Sequence, residues 1–419
     1  MAQLGYVGSF IREVYQHAES TESPSLGGPW FSRKGQGSIF FDESDAVSYS
    51  KVVARLVEDY GAAGDISRKT LATLVQDALF ATLDLQATTQ DAAACEKRLK
   101  TAVRELHRKL TEAPAAYSCY VPVQGLSAEG LPMTVGRARL LVMSAPRLRR
   151  LVLPSQLSLP ADGKNQRRQL MGVLAEDDLP GQRVALVSVL ARDPEAAETL
   201  ARRDTRVVVD VLNFFVDLVP NSPGWLYLAG EAGSEATSTL VAHADGSLTV
   251  NRAWQGPISE FSTKRLQSVP KLSRALGRIH ELIKEEPRSA LSELLLTAIR
   301  WAGRASVEPI PEHAFVQYVI AMEALLLPTE SQGIKHRLQT RVSHLLAGTA
   351  RDRQWYFDTV KKLYEVRSDI AHDGSFEVDP GDLATLRMIV KSSIFRVLMY
   401  RGIRRLGSLQ EFARWLDTR

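Results

Sequence analysis

The sequence predicts an α+β multidomain protein: an N-terminal helical and mixed α/β region followed by an all-α C-terminal helical bundle. Three observations carry that expectation. A length of 419 residues exceeds what one hydrophobic core ordinarily serves, so two or three domains are expected. Apolar residues recur at helical spacing before residue 115, form short β-prone blocks as far as residue 255, and return to helical spacing from Ile258 onward. Short connections containing Pro or Gly separate the last helical stretches, the pattern of an up-and-down bundle. The expected divisions are a loop and helical region at 1–114, a mixed α/β domain at 115–260 and a helical domain at 261–419.

Residues 19–38 are rich in Ser and Gly, with Pro24 and Pro29, and read as a loop. The segment 45–60 repeats apolar residues at helical spacing through Val47, Val52, Val53, Leu56 and Val57. Asp65 is placed to cap a second helix through Leu71, Leu74, Val75, Leu79 and Leu83. A third, over 91–110, has a basic face of Lys97, Lys100, Arg104, Arg108 and Lys109, which reads as a solvated surface before it reads as a nucleic-acid contact.

From Tyr117 the period shortens. Strands are expected at 117–123 and 134–143, with Arg147–Arg150 as an edge-strand or turn cluster and Lys164–Arg168 as a second basic loop. Val184–Leu190 is strongly β-prone. Asp193-Pro194-Glu195 then starts a helix with a capping carboxylate and a first-turn proline. Further strands are expected at 225–229 and 238–250, the latter a hairpin turning at Asp245-Gly246. Helices are expected at 262–284, 287–305, 312–327, 333–347, 352–372, 380–403 and 408–418. Pro311, Pro328, Gly374 and the Asp379-Pro380 pair mark borders between them.

With 45% hydrophobic and 24% charged residues the composition is that of a globular protein. A net charge of +4 is too mild to argue for nucleic acid by itself. Cys95 and Cys119 have neither metal-type spacing nor the number for a disulfide framework, which suits a reducing cytoplasm. The N-terminus lacks a basic start followed by an apolar core, so no signal peptide is expected. The longest apolar candidate, 207–219, is interrupted by Asp210, Asn213 and Asp217, so no membrane span is expected. Phosphate-cradling loops, zinc-binding helices and C-x-x-C pairs are absent from the sequence, and no cofactor or metal is expected.

One local pattern points to chemistry. Arg367 and His372 lie with four residues between them at an expected helix end, ahead of Gly374. A guanidinium stays charged and can fork onto two phosphate oxygens, while an imidazole exchanges a proton near neutral pH. Together they suffice in principle to cleave RNA, which carries its own nucleophile in the 2′-hydroxyl. Spacing alone decides nothing, because Arg12/His17, Arg274/His280 and Arg337/His344 also fit a loose form of it. Context separates the last pair: Ser368 and His372, four apart, share a helix face, and Arg367 borders an apolar stripe.

Tyr364-x-x-Arg367-Ser368-x-Ile370-x-His372 resembles the C-terminal motif of HEPN domains, specifically the ApeA-like branch. Ala321-Met322-Glu323-Ala324-Leu325 resembles its A-x-E-x-L helix, Arg341 the arginine on the following helix, and Trp301 an aromatic position on the first. The resemblance covers about residues 285–407, and Ser368 stands where Asn or Asp is commoner. It implies a helical bundle that dimerises with two such motifs facing across a cleft, and metal-independent cleavage of RNA, with tRNA among the candidates. It further implies a setting in antiphage defence or a toxin system, with a regulatory partner or phage-derived trigger. Arg367 would hold the scissile phosphate and His372 move the proton, with Ser368, Glu323, Tyr364 and Arg341 in support. Glu323 is read as a partner for Arg341 or Arg367, and Tyr364 as either a base-stacking or a core residue. Two alternatives stay open: a catalytically inactive HEPN-type module that binds RNA or protein, and an N-terminal enzyme regulated by the bundle.

Overall fold

The computed structural model describes residues 4–20, 30–33, 37–40, 43–83, 92–152, 180–219, 224–228, 235–242, 248–255, 260–327, 333–373, 377–402, 406 and 408–418. For residues 15–20, 30–33, 37–40, 43, 92, 152, 235–240, 248, 250–255, 372 and 373 it describes the backbone alone. The expected basic loop at 164–168, the Asp245-Gly246 turn, Pro328 and Gly374 lie outside the described residues. The chain is mostly helical with a small antiparallel sheet, an α+β protein. It divides into two compact units, residues 1–117 with 189–200, and residues 118–188 with 201–419. The parts expected as separate domains at 115–260 and 261–419 thus fall almost wholly within the second unit.

The first unit is built on four helices: α1 (Gly5–Ser20), α2 (Glu43–Tyr60), α3 (Arg68–Thr82) and α4 (Ala92–Thr111). Between α1 and α2 a two-stranded antiparallel ribbon forms from β1 (Trp30–Arg33) and β2 (Gly37–Phe40). The ribbon stands within the segment expected to be loop, and α1 has no counterpart in the expectations. Its signal is the 3-4-3 spacing of Leu4, Val7, Ile11 and Val14, all fully or nearly fully buried against Leu56, Leu71, Leu79, Leu99 and Leu106. Asp65 is not the cap of α3. Ser67 is, its hydroxyl accepting from the Thr70 N–H at 3.1 Å. Asp65 instead pairs with Arg192 at 3.3 Å, and Asp193 accepts from the Ser67 N–H at 2.7 Å. On the basic face of α4, Lys100 meets Glu96, Lys109 meets Asp77, and Arg108 is clasped by Glu105 and Glu112. Those cations are engaged on the helix surface, as a solvated face requires.

In the second unit a seven-stranded sheet has the order β4-β5-β6-β3-β8-β9, with β7 against β3. Its strands are β3 (Ala115–Gln124), β4 (Met133–Val135), β5 (Ala138–Val142), β6 (Arg183–Ala191), β7 (Tyr227–Leu228), β8 (Glu235–Ala242) and β9 (Leu248–Gln255). Gly136, with φ +56°, makes the tight turn from β4 to β5, and its N–H donates to His280 Nδ1 at 3.0 Å. Residues Arg147–Arg150 are not an edge or turn cluster but part of helix α5 (Ala145–Val152). Ser144 caps it through the Arg147 and Leu148 N–H groups, and Pro146 sits in its first turn. Helix α6 (Pro194–Phe214) starts at Asp193, whose carboxylate accepts from the Ala196 N–H at 2.9 Å; a 3₁₀ turn over Val216–Leu218 follows.

The helical stretch comprises α7 (Thr263–Ser268), α8 (Pro270–Lys284), α9 (Ala290–Ala305), α10 (Pro311–Leu326), α11 (Ile334–Leu346), α12 (Ala350–Asp373), α13 (Pro380–Met399) and α14 (Leu409–Asp417). Pro270 divides the first expected helix into α7 and α8, as a residue without an N–H does. Asp379 caps α13 through the Gly381 and Asp382 N–H groups. Helices α9 and α10 pack together, α10 packs on α13, and α11 packs on α12, α13 and α14. Their shared core includes Ile299, Phe315, Val319, Met322, Val342, Leu363 and Ile389.

Gly303 marks the closest helix approach. A Cβ there would stand 1.8 Å from the Asp210 carbonyl oxygen, so α9 and α6 touch backbone to backbone. Gly303→Ala is expected to destabilise the second unit by about 3 kcal/mol, the upper range for overpacking against atoms that cannot rotate away. Urea unfolding with the wild-type midpoint would refute it. Asp210 itself is buried, shared by Arg300 at 3.2 Å and Arg304 at 3.1 Å. Burial pushes its carboxyl above the usual range, and Arg304 and Arg300 oppose the shift.

Candidate functional site

Helix α12 carries the arginine–histidine pattern. Its inner face is set by Val360, Leu363 and Val366, all buried, which leaves Tyr364, Arg367 and Ser368 at the border between core and solvent. Lys335–Glu365 and Lys362–Asp382 ion pairs, each 2.7 Å, tie α12 to α11 and α13. These surface contacts add to the apolar packing that fixes which face of α12 borders the core.

Tyr364 is the centre of a small polar group. Its hydroxyl lies within the electrostatic reach of the Glu323 carboxylate on α10. The Arg367 guanidinium carbon stands 5.9 Å from the Tyr364 ring centroid. Burial raises the Tyr364 hydroxyl above its ordinary pKa, and the Glu323 charge adds to this while Arg367 opposes it. Arg367 is half-buried and forms no ion pair among the described residues. Ser368 is half-buried, four residues after Tyr364 on the same face. His372 belongs to the last turn of α12, five residues and about 7.5 Å of rise beyond Arg367; its side chain lies outside the described residues.

Two expected roles are corrected. Glu323 is not the partner of Arg341. Arg341 is fully buried, and its guanidinium donates to both carboxylate oxygens of Asp417 on α14, from Nε at 2.7 Å and Nη2 at 3.0 Å. A further bond goes from Nη1 to the Leu326 carbonyl at 2.5 Å, at the end of α10. Arg341 thus holds the C-terminal helix and the end of α10 together and stands apart from the Tyr364 group. Nor does Glu323 form an ion pair with Arg367; the charges of both act on the Tyr364 hydroxyl, and Arg367 stacks on its ring. Trp301 lies on α9 beneath the Arg304 guanidinium, 5.4 Å from its carbon, away from this group's recorded contacts.

A second polar group has no counterpart in the sequence expectations. Lys391, on α13, is 3% exposed, and its Nζ donates to Asp217 Oδ2 at 3.0 Å. Arg387 Nη1 approaches the same oxygen at 3.3 Å, while Arg387 Nε is buried without a hydrogen-bond partner among the described residues. Burial lowers the Lys391 pKa to about 8; Asp217 opposes the shift and Arg387 adds to it. The available signal was a lone lysine in the apolar run Ile389, Val390, Ile394, Val397. No periodicity points from there to Asp217.

Chemically, the α12 group offers a guanidinium not committed to a carboxylate, bordered by an aromatic ring and a hydroxyl, on the helix that ends in a histidine. It supplies charge for an anionic substrate and a flat face for a base. No protein-family model, curated protein or solved structure matches the chain. Among the described residues no helix is long and apolar enough to cross a membrane.

Proposed function

We propose that the chain is a metal-independent endoribonuclease of HEPN type, acting in the cytoplasm as a homodimer, with Arg367 and His372 as its catalytic residues. The observation that carries this reading is the half-exposed Arg367, without an ion pair among the described residues, on the helix whose last turn bears His372. Tyr364, whose ring lies against the guanidinium, limits the directions open to it, and such pre-orientation is what a phosphate clamp needs. Ser368 would then lie on the substrate face, and Arg341 would hold the bundle together. In the reaction the 2′-oxygen attacks phosphorus as His372 takes its proton. The bond to the 5′-oxygen breaks, and that oxygen leaves with a proton relayed through water from the imidazolium so formed. Arg367 neutralises the charge that gathers on the non-bridging oxygens. The products are a 2′,3′-cyclic phosphate and a 5′-hydroxyl.

Residues 1–260 would sense a trigger or position RNA, with tRNA among the candidate substrates, in antiphage defence or a toxin system. A second reading has its own observation. Arg367 stacks on a tyrosine ring, which also suits a silent module that binds RNA or protein.

Incubating the purified protein with total RNA in EDTA, then mapping fragment ends, separates the two. Cyclic phosphate ends with EDTA present, and no cutting of DNA of the same sequence, are the expected result. RNA bound but left intact, or cleavage abolished by EDTA, would overturn the nuclease reading.

A further inference from the structure

Around the Asp217–Lys391 pair lies a cavity of about 800 Å³, bounded by the 3₁₀ turn after α6, the start of α8, the end of α11, the start of α12 and one face of α13. That is within the range of roughly 300–1,000 Å³ typical of small-molecule sites. Four cations line it, Lys271, Arg387, Lys391 and Arg396, against one carboxylate, Asp217. Leucine and methionine side chains form much of the remaining wall, together with the rings of Tyr356 and Phe395. Tyr356 is held edge-on to Trp355, with ring centroids 4.9 Å apart, and Lys271 Nζ stands 5.0 Å from the Phe395 centroid.

This excess of cations asks for an anion. A lysine and an arginine share one oxygen of Asp217, and a buried Arg387 N–H has no acceptor among the described residues. A guanidinium has five N–H donors, more than one carboxylate oxygen can satisfy. Phosphate oxygens would supply the missing acceptors and offset the excess of positive charge. Inorganic phosphate alone would leave the apolar wall and both rings uncovered. A fatty acid would cover the wall but bring one charge to four cations. A flat ring joined to a phosphate chain matches both halves of the lining.

We propose that this cavity binds a free nucleotide, its phosphates among Lys271, Arg387, Lys391 and Arg396 and its base against Tyr356 or Phe395. The site is separate from the α12 polar group: Tyr356 precedes Arg367 by eleven residues, about 16 Å along the helix. It does not depend on the nuclease reading.

Calorimetric titration of the full chain with ATP, adenosine, inorganic triphosphate and laurate tests the idea. ATP is expected to bind at one site per chain, at least about tenfold tighter than adenosine or triphosphate. Lys271 and Arg396 are exposed, so the double variant Lys271→Gln, Arg396→Gln should keep its thermal unfolding while ATP affinity falls about tenfold or more. Arg367→Ala should bind ATP as wild type does. The proposal is overturned by any of four results: no ATP binding at about 1 mM, triphosphate binding as tightly as ATP, laurate binding more tightly, or the double variant keeping full affinity. Loss of ATP binding in Arg367→Ala would also overturn it, by moving the nucleotide to α12.

Discussion

Arg367→Ala is expected to slow RNA cleavage about 10²–10³-fold, the cost of removing one pre-organised donor from a developing oxyanion. His372→Ala is expected to lose about 10²–10⁴-fold, the range for general acid–base catalysis. Neither change should unfold the protein. Arg367 is half-buried and, among the described residues, has no ion pair to break; its contact with Tyr364 is a stacking one of about 0.5–1 kcal/mol. Arg367→Lys sharpens the test, because it keeps the charge and loses the planar fork. If the arginine holds phosphate in two-point fashion, lysine should recover only part of the rate. If it is merely structural, all three proteins should cleave alike in a single-turnover assay. Equal rates would end the catalytic assignment.

Asp417→Ala is expected to destabilise the second unit by about 3 kcal/mol, because it removes a two-point carboxylate from a fully buried guanidinium. The carboxylate side is half-exposed, which keeps the expected loss at the lower end of that range. Replacing both partners with apolar residues, as in Arg341→Met with Asp417→Leu, should recover most of the loss, since no charge is then left buried. Urea unfolding of the two single variants and the double variant measures this coupling. A single variant within about 0.5 kcal/mol of wild type would mean that Arg341 contributes packing alone. Because Arg341 and the Tyr364 group are separate, Asp417→Ala should lower stability well before it lowers the cleavage rate per folded molecule.

The helices of the C-terminal half were legible because their signals are local. Pro311 at the start of α10, Asp379-Pro380 at the start of α13 and the apolar spacing of α12 act within one or two turns, where sequence and conformation are directly linked. The same locality accounts for the errors. Helix α1 carried a usable spacing, but Gly5, Gly8 and three aromatic residues weakened its apparent propensity, and burial against three other helices supplies what propensity lacks. Residues 147–150 looked like a charged turn until the Ser144 cap and Pro146 were weighed. The α12 motif was visible as a string, but not that Arg367 stacks on Tyr364 or that Arg341 belongs elsewhere.

By itself the sequence determined where the chain turns into helix, which faces are apolar, and that an arginine and a histidine close one helix. The tertiary structure alone decided the partners: Arg341 with Asp417, Lys391 with Asp217 across 174 positions, and Gly303 against the Asp210 backbone. Periodicity reports the geometry of one segment, whereas an ion pair or a backbone contact depends on distances that exist only after separate segments have packed.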